Sequence, residues 1–197
     1  MWDRFAAALD EPALARAWRD ARPFPHVVLD DVVAPAELAA ILDDEAVDRY
    51  EGDLFAFDAT TPEPATGEFC ALRDAFARAL APPLSRITGK RVSTVDMRAF
   101  AYRVGDYLLP HTDHRDGLHR ALAYVYYVPS PEPPVGGELE LFRCAIDAGE
   151  LVSVASAKLV EPRGHRLVVF DVSDISLHQV REVLGGLRLS LAGWFYP

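Results

Sequence analysis

After Arg91 the chain becomes a succession of short β-rich runs separated by turn residues, with no helical period between them. The runs cover 95–103, 120–128, 138–142, 151–160, 165–172, 177–184 and 187–196 and are rich in Val, Leu, Tyr and Phe. Parallel strands need long crossovers, usually helical, and these runs leave no room for them, so they specify an antiparallel sandwich or barrel. The first 90 residues read differently. Phe5, Leu9, Leu14 and Trp18 recur at roughly helical spacing up to Arg22-Pro23 and predict one packing helix. Residues 26–29 form a short strand, Pro35-Ala36-Glu37 opens a second helix to about Leu42, and Leu72, Phe76, Leu80 and Leu84 mark one stripe of a third over 69–84. Between the second and third helices, aromatic and acidic residues alternate from Asp48, then Thr60, Thr61, Pro62, Pro64 and Gly67 break every period; a loop or irregular ribbon is expected there. The fold class is α+β, with mainly helical support over 1–90 and a β-roll core over 91–197. At 197 residues one well-packed domain is expected, since two independent cores would each be small.

Composition narrows the partners. Thirty acidic residues against twenty basic ones give a net charge of −10, which disfavours docking on nucleic-acid phosphates. No apolar run approaches the ~20 residues of a membrane-spanning helix, so no membrane partner is expected. The N-terminus lacks a basic segment followed by an apolar one. Cys70 and Cys144 belong to no CxxC pair and read as small core residues of a reducing compartment. A cytoplasmic location is expected.

The chemistry concentrates around His111-Thr-Asp113. In extended backbone, residues two apart leave the same face, so one ion can touch both side chains. His178, near the start of a later strand, supplies a third ligand. Two imidazoles and a carboxylate form the facial triad of non-haem iron(II) oxygenases, which leaves coordination positions open for a co-substrate and oxygen; zinc hydrolysis can use a similar set. Arg188 separates the two. A guanidinium inside a β-core needs an anionic partner, and its planar fork matches the distal carboxylate of 2-oxoglutarate. Ser190, two residues along the same face, can add a hydroxyl, and Tyr126 or Tyr127 a phenol. If Gly185-Gly186 closed a two-residue hairpin, His178 and Arg188 would face opposite ways. A loop of about three residues with Gly in a left-handed position is therefore expected there.

These residues resemble a known family: the 2-oxoglutarate oxygenases that hydroxylate prolyl residues, in particular the catalytic domain of ribosomal-protein prolyl 3-hydroxylases. The resemblance rests on 168–184, which contains His178, followed by Arg188-Leu-Ser-Leu-Ala-Gly-Trp-Phe195. It extends to Tyr102 nine residues before His111, to Arg120 through Tyr127, to Gly136 through Phe142 and to Phe24-Pro-His-Val-Val-Leu-Asp30, so it covers nearly the whole chain. It implies a double-stranded β-helix (jelly-roll, cupin-like) core with N-terminal packing helices. It also implies iron(II) held by His111, Asp113 and His178, 2-oxoglutarate held by Arg188 with Ser190, Tyr102 and one of Tyr126 and Tyr127, and oxygen as oxidant, with ascorbate as an optional reductant. The product set is a hydroxylated substrate, succinate and carbon dioxide. The substrate is a prolyl residue of a protein or peptide, or alternatively a free amino acid or small biosynthetic intermediate. Asp113 argues against halogenation, because halide-transferring relatives carry a small residue in its place. In this family the segment before the core shapes the entrance, which makes Tyr50, Phe55 and Phe57 candidates for substrate contact. His114 and His119 read as solvent-exposed or substrate-side, and His26 and His165 as structural. A cupin-like module that holds a metal or ligand without turnover is the alternative from another class.

Overall fold

The computed structural model describes residues 2–63, 66–148 and 150–197; Pro64, one of the breakers above, lies outside the described residues. The expected first helix is two, α1 (Trp2–Ala7) and α2 (Glu11–Asp20). Asp10 accepts from the Ala13 amide at 2.9 Å, and Pro12 in the next turn has no N–H to continue an earlier helix, so a new one starts. Strand β1 (His26–Leu29) follows as expected. Helix α3 (Leu38–Asp43) starts later than read, after a turn in which the Leu38 amide donates to the Pro35 carbonyl.

The stretch expected as loop is a hairpin, β2 (Val47–Gly52) and β3 (Phe55–Thr60), paired from Val47↔Thr60 to Gly52↔Phe55. Its aromatic residues follow a strand period, with Phe55 and Phe57 on one face beside Tyr50, and Asp58 on the other face paired with Arg49 and Arg103. Helix α4 (Gly67–Thr88) begins on a Thr66 cap that accepts from the Phe69 amide at 3.2 Å and ends at Gly89 in the left-handed region. Leu72, Phe76, Leu80 and Leu84 are all buried, as the stripe predicts.

The remaining strands are β4 (Thr94–Val95), β5 (Arg98–Tyr102), β6 (Tyr107–His111), β7 (Leu122–Val128), β8 (Val135–Gly136), β9 (Leu139–Asp147), β10 (Glu150–Val160), β11 (Leu167–Asp171), β12 (His178–Val180), β13 (Val183–Gly185) and β14 (Arg188–Tyr196). Every pairing is antiparallel. One continuous sheet runs β1-β11-β7-β14-β5-β3-β6-β12-β9-β10, and β13 pairs with β8 apart from it. The sheet curls on itself, because its two terminal strands meet where Lys158 Nζ of β10 donates to His26 Nε2 of β1 at 2.7 Å. This is the double-stranded β-helix architecture, with helices packed on one outer face.

Strand β7 shows why the core runs lack polar alternation. Tyr124 and Tyr126 point outward into the cluster of Phe76, Leu80 and Trp2, while Ala123, Val125 and Tyr127 point inward against Leu139, Leu141 and Phe170. Both faces are covered, so apolar residues are required on both.

The expected hairpin at Gly185-Gly186 does not form. Strand β12 pairs with β6 and β9, whereas β14 pairs with β5 and β7. His178 and Arg188 therefore sit on two different parts of the curled sheet that face one another, and hairpin parity does not constrain them. Gly186 does adopt a left-handed conformation, φ 67°, and a Cβ there would come within 2.2 Å of the Pro133 carbonyl oxygen.

Candidate active site

The site is built from the ends of β6, β12 and β14. His111 closes β6 and pairs directly with His178, the first residue of β12, which brings the imidazole centroids to 4.3 Å. Asp113, two residues beyond His111, is buried, with Oδ2 3.5 Å from His178 Nε2 and Oδ1 3.9 Å from His111 Nε2. One ligand atom from each residue lies within 4.8 Å of the others, close enough for a single ion, and this is the one such group among the described residues.

Each imidazole is oriented by the same local device. His111 Nδ1 meets the Leu109 carbonyl and His178 Nδ1 the Ser176 carbonyl, both at 2.9 Å. A carbonyl only accepts, so Nδ1 carries a proton and the neutral ring turns its Nε2 lone pair inward. Burial pushes the His178 pKa down to about 4, with Asp113 opposing and His111 adding to the shift, so this imidazole is neutral, the form that binds a metal. Two imidazole nitrogens and a carboxylate fit the donor set of iron(II).

Arg188 opens β14 and is 2% exposed. Its Nη1 donates to Ser190 Oγ at 3.3 Å, its Cζ lies 4.7 Å from the Tyr102 ring centroid and 5.0 Å from that of Tyr127, and its Nε has no acceptor. A buried guanidinium whose partners are hydroxyls and ring faces has its donor fork matched to a carboxylate. Burial raises both neighbouring phenols, Tyr102 to about 12, so each stays protonated and can donate. The Tyr127 hydroxyl also lacks an acceptor. Tyr126 faces the other way: it stacks edge-on against Trp2, and its hydroxyl meets His165 Nδ1 at 3.2 Å. Of the two tyrosines considered from the sequence, only Tyr127 belongs to this constellation. The metal group and Arg188 line one cavity of about 330 Å³.

The cavity also contains residues to which the sequence reading assigned no role. Arg120 lies flat on Trp194, its Cζ 3.3 Å from the ring centroid, and its Nη1 donates to the Asp113 carbonyl at 3.2 Å, bracing the strand exit that carries the carboxylate. Asp96 accepts from the Trp194 amide at 2.5 Å and from Tyr196 OH at 2.9 Å. Gly193 permits this approach, since a Cβ there would be 2.5 Å from Asp96 Oδ1. The signal for Arg120 was weak because a lone Arg at a strand start is ordinarily solvated. Phe57 lines the cavity mouth, and Tyr50 and Phe55 pack on it at 5.7 and 5.6 Å. Asp106 holds this hairpin down, accepting both Arg49 Nη atoms at 2.9 and 2.7 Å. His114 and His119 are exposed, and His26 is buried with Nδ1 on the Phe24 carbonyl.

Residues 97–196 match the family profile of the 2OG-Fe(II) oxygenase superfamily. Curated relatives include prolyl 3-hydroxylase OGFOD1 of Mus musculus, 34% identical over 188 residues, and that of Xenopus laevis, 33% over 187. Both alignments cover 90% of this chain, but the chain spans only about a third of those proteins, 33% and 36%. Among solved structures, a Pseudomonas putida prolyl-4-hydroxylase shares the fold with a TM-score of 0.66 at 23% identity, over 93% of this chain and 98% of that one. A Burkholderia pseudomallei oxidoreductase of the 2OG-Fe(II) oxygenase family gives 0.71 at 14%, over 96% and 92%. The profile spans the strands that carry the triad and Arg188, and the chain belongs to the 2OG-Fe(II) oxygenase superfamily, whose members use iron(II), 2-oxoglutarate and oxygen.

Proposed function

We propose that this chain is a 2-oxoglutarate-dependent prolyl hydroxylase acting on a protein or peptide, with His111, Asp113 and His178 as iron ligands and Arg188 as the anchor of the co-substrate. The observation that carries this reading is Arg188: a guanidinium 2% exposed, without a carboxylate partner among the described residues, in the cavity of the metal triad. A zinc hydrolase has no use for it. The prolyl substrate rests on the two curated relatives, both prolyl 3-hydroxylases. The two unpaired cysteines suit the expected cytoplasmic location.

Iron(II) with 2-oxoglutarate and oxygen supplies the oxidising power that converts an unactivated C–H into C–OH with release of succinate and carbon dioxide. The chain supplies orientation. The Leu109 and Ser176 carbonyls hold both imidazoles with Nε2 inward, and Arg120 fixes the backbone of Asp113. Arg188 would receive the distal carboxylate, with Ser190 and Tyr127 beside it as hydroxyl partners and Tyr102 backing the guanidinium with its ring face. Inward residues such as Val125, Leu139 and Phe170 keep the reacting end apolar and exclude water.

Anaerobic titration with iron(II) and 2-oxoglutarate should produce a metal-to-ligand charge-transfer band that His111→Ala loses. Succinate release driven by proline-containing peptides, and not by free proline, is expected. A band with no peptide-dependent turnover would retain the oxygenase and discard the prolyl substrate.

A further inference from the structure

Arg188 is not the only guanidinium in the cavity, and Arg98 is also without a carboxylate partner among the described residues. Arg98 lies on β5 on the same face as Tyr102 and Phe100, opposite Ala192 of β14, a residue too short to offer a partner. Its plane is set by aromatic rings, with Cζ 4.9 Å from the Tyr50 centroid and 5.3 Å from that of Phe100. Nε donates to the Thr60 carbonyl at 2.7 Å, while Nη2 is closed off from solvent and has no acceptor. The two carboxylates that line the cavity are committed elsewhere: Asp113 stands between the two imidazoles, and Asp96 accepts from the Trp194 amide and Tyr196 OH. Nearby, Arg120 Nε and Trp194 Nε1 are buried donors that also lack acceptors. This end of the cavity holds three donors without acceptors; of its two carboxylates, Asp96 lies in the field of Arg120 and Asp113 faces the imidazoles, so neither is directed at Arg98.

The co-substrate does not meet this need. Both ends of 2-oxoglutarate are already accounted for, one carboxylate at Arg188 and the other end at the metal group, and Arg98 pairs with a backbone position four residues along β14 from Arg188, about 13 Å at 3.3 Å per residue. Arg98 is half-buried with Nη2 shut off from water, a partial desolvation that an anion would offset, and its planar fork pairs best with a carboxylate. In a chain of net charge −10, which repels anions at large, such a site selects them locally.

We infer that Arg98 is a specificity-determining residue that binds a carboxylate of the substrate, from an acidic side chain next to the hydroxylated residue or from a chain terminus. This rests on the reading of the cavity as an oxygenase site with a peptide substrate. The rings of Tyr50 and Phe100 pre-set the guanidinium, so little conformational entropy is lost when the carboxylate arrives.

The test is calorimetric titration of the protein loaded with manganese(II) and 2-oxoglutarate, in which turnover is blocked. The probes are matched peptides: Ala-Pro-Glu against Ala-Pro-Gln and Ala-Ala-Glu against Ala-Ala-Gln, all with blocked ends, and acetyl-Ala-Pro with a free against an amidated terminus. The carboxylate member of at least one pair should bind about tenfold tighter or more, the scale of one charge-assisted interaction. Which pair responds identifies a side-chain or a terminal source. Arg98→Gln should abolish the preference and Arg98→Lys should restore part of it. A preference in the Ala-Ala pair equal to that in the Ala-Pro pair supports the role of Arg98 while removing the prolyl reading. Tighter binding of the Pro peptides with no charge preference overturns the role of Arg98 and leaves the prolyl reading standing. If no pair differs in the wild type, or if the preference survives in a folded Arg98→Gln protein, the inference is overturned.

Discussion

Replacing Arg188 by methionine should strengthen the apo fold and weaken co-substrate binding, two effects of opposite sign. In the free protein the guanidinium is 2% exposed and has no anion. Its desolvation costs several kcal/mol, against which stand two ring faces at 4.7 and 5.0 Å, worth about 1–2 kcal/mol each, and a 3.3 Å bond to Ser190 worth about 1 kcal/mol or less. The balance leaves a net cost of about 1–3 kcal/mol, which methionine, unbranched and apolar, removes while filling the space. Urea unfolding of the metal-free Arg188→Met protein should therefore show a stability gain of that size. Binding of 2-oxoglutarate should fall by about 10²–10⁴, the loss of two charge-assisted hydrogen bonds at roughly 1.5–3 kcal/mol each. The assay is a 2-oxoglutarate titration in the presence of manganese(II), followed by thermal shift. A variant that loses more than about 1 kcal/mol of apo stability and still binds 2-oxoglutarate like the wild type would refute the reasoning, because the arginine would then be a structural group already paired.

Three further outcomes are expected. Asp113→Asn should fold but lose the rise in melting temperature that manganese(II) gives the wild type, because the anionic member of the donor set is gone; an unchanged metal response would place the ion elsewhere. Gly186→Ala should cost about 1–3 kcal/mol in urea unfolding, since φ is 67° and the new methyl would meet the Pro133 carbonyl at 2.2 Å. Burial first, and Lys158 in addition, hold the His26 pKa below its ordinary 6.5, with the Phe24 carbonyl opposing. Below that pH the unfolded chain binds more protons at this position than the folded one, so stability is lost as pH falls through 6.5. His26→Gln should flatten that part of the pH profile, and a slope identical to wild type would remove His26 as its origin.

Much of the site was legible because its residues lie close in sequence or carry a specific spacing. His111 and Asp113 share a face by the two-residue period of extended backbone, and the stripe from Leu72 to Leu84 marked the helix that covers the sheet. The misreadings arose where tertiary pairing overrode a local cue. The Asp48–Gly67 stretch read as a loop or irregular ribbon, yet β3 is stitched into the sheet between β5 and β6. The break between α1 and α2 hinged on one capping aspartate and a proline, easily missed inside an apolar period.

The sequence by itself determined the antiparallel β-roll, the spacing of the His-Asp-His donors and the placing of an arginine within a β-core, because strand period, ligand type and charge are properties of residues. The tertiary structure alone decided that His178 and Arg188 face one cavity without any hairpin between them, that Tyr127 and not Tyr126 joins Arg188, and that Arg98 and Arg120 enter the same space. The reason is the curl of the sheet. Adjacent residues on one strand look into different compartments, one lined by helices and one by the facing strands, and which compartment each sees is set by pairing between strands far apart in the chain.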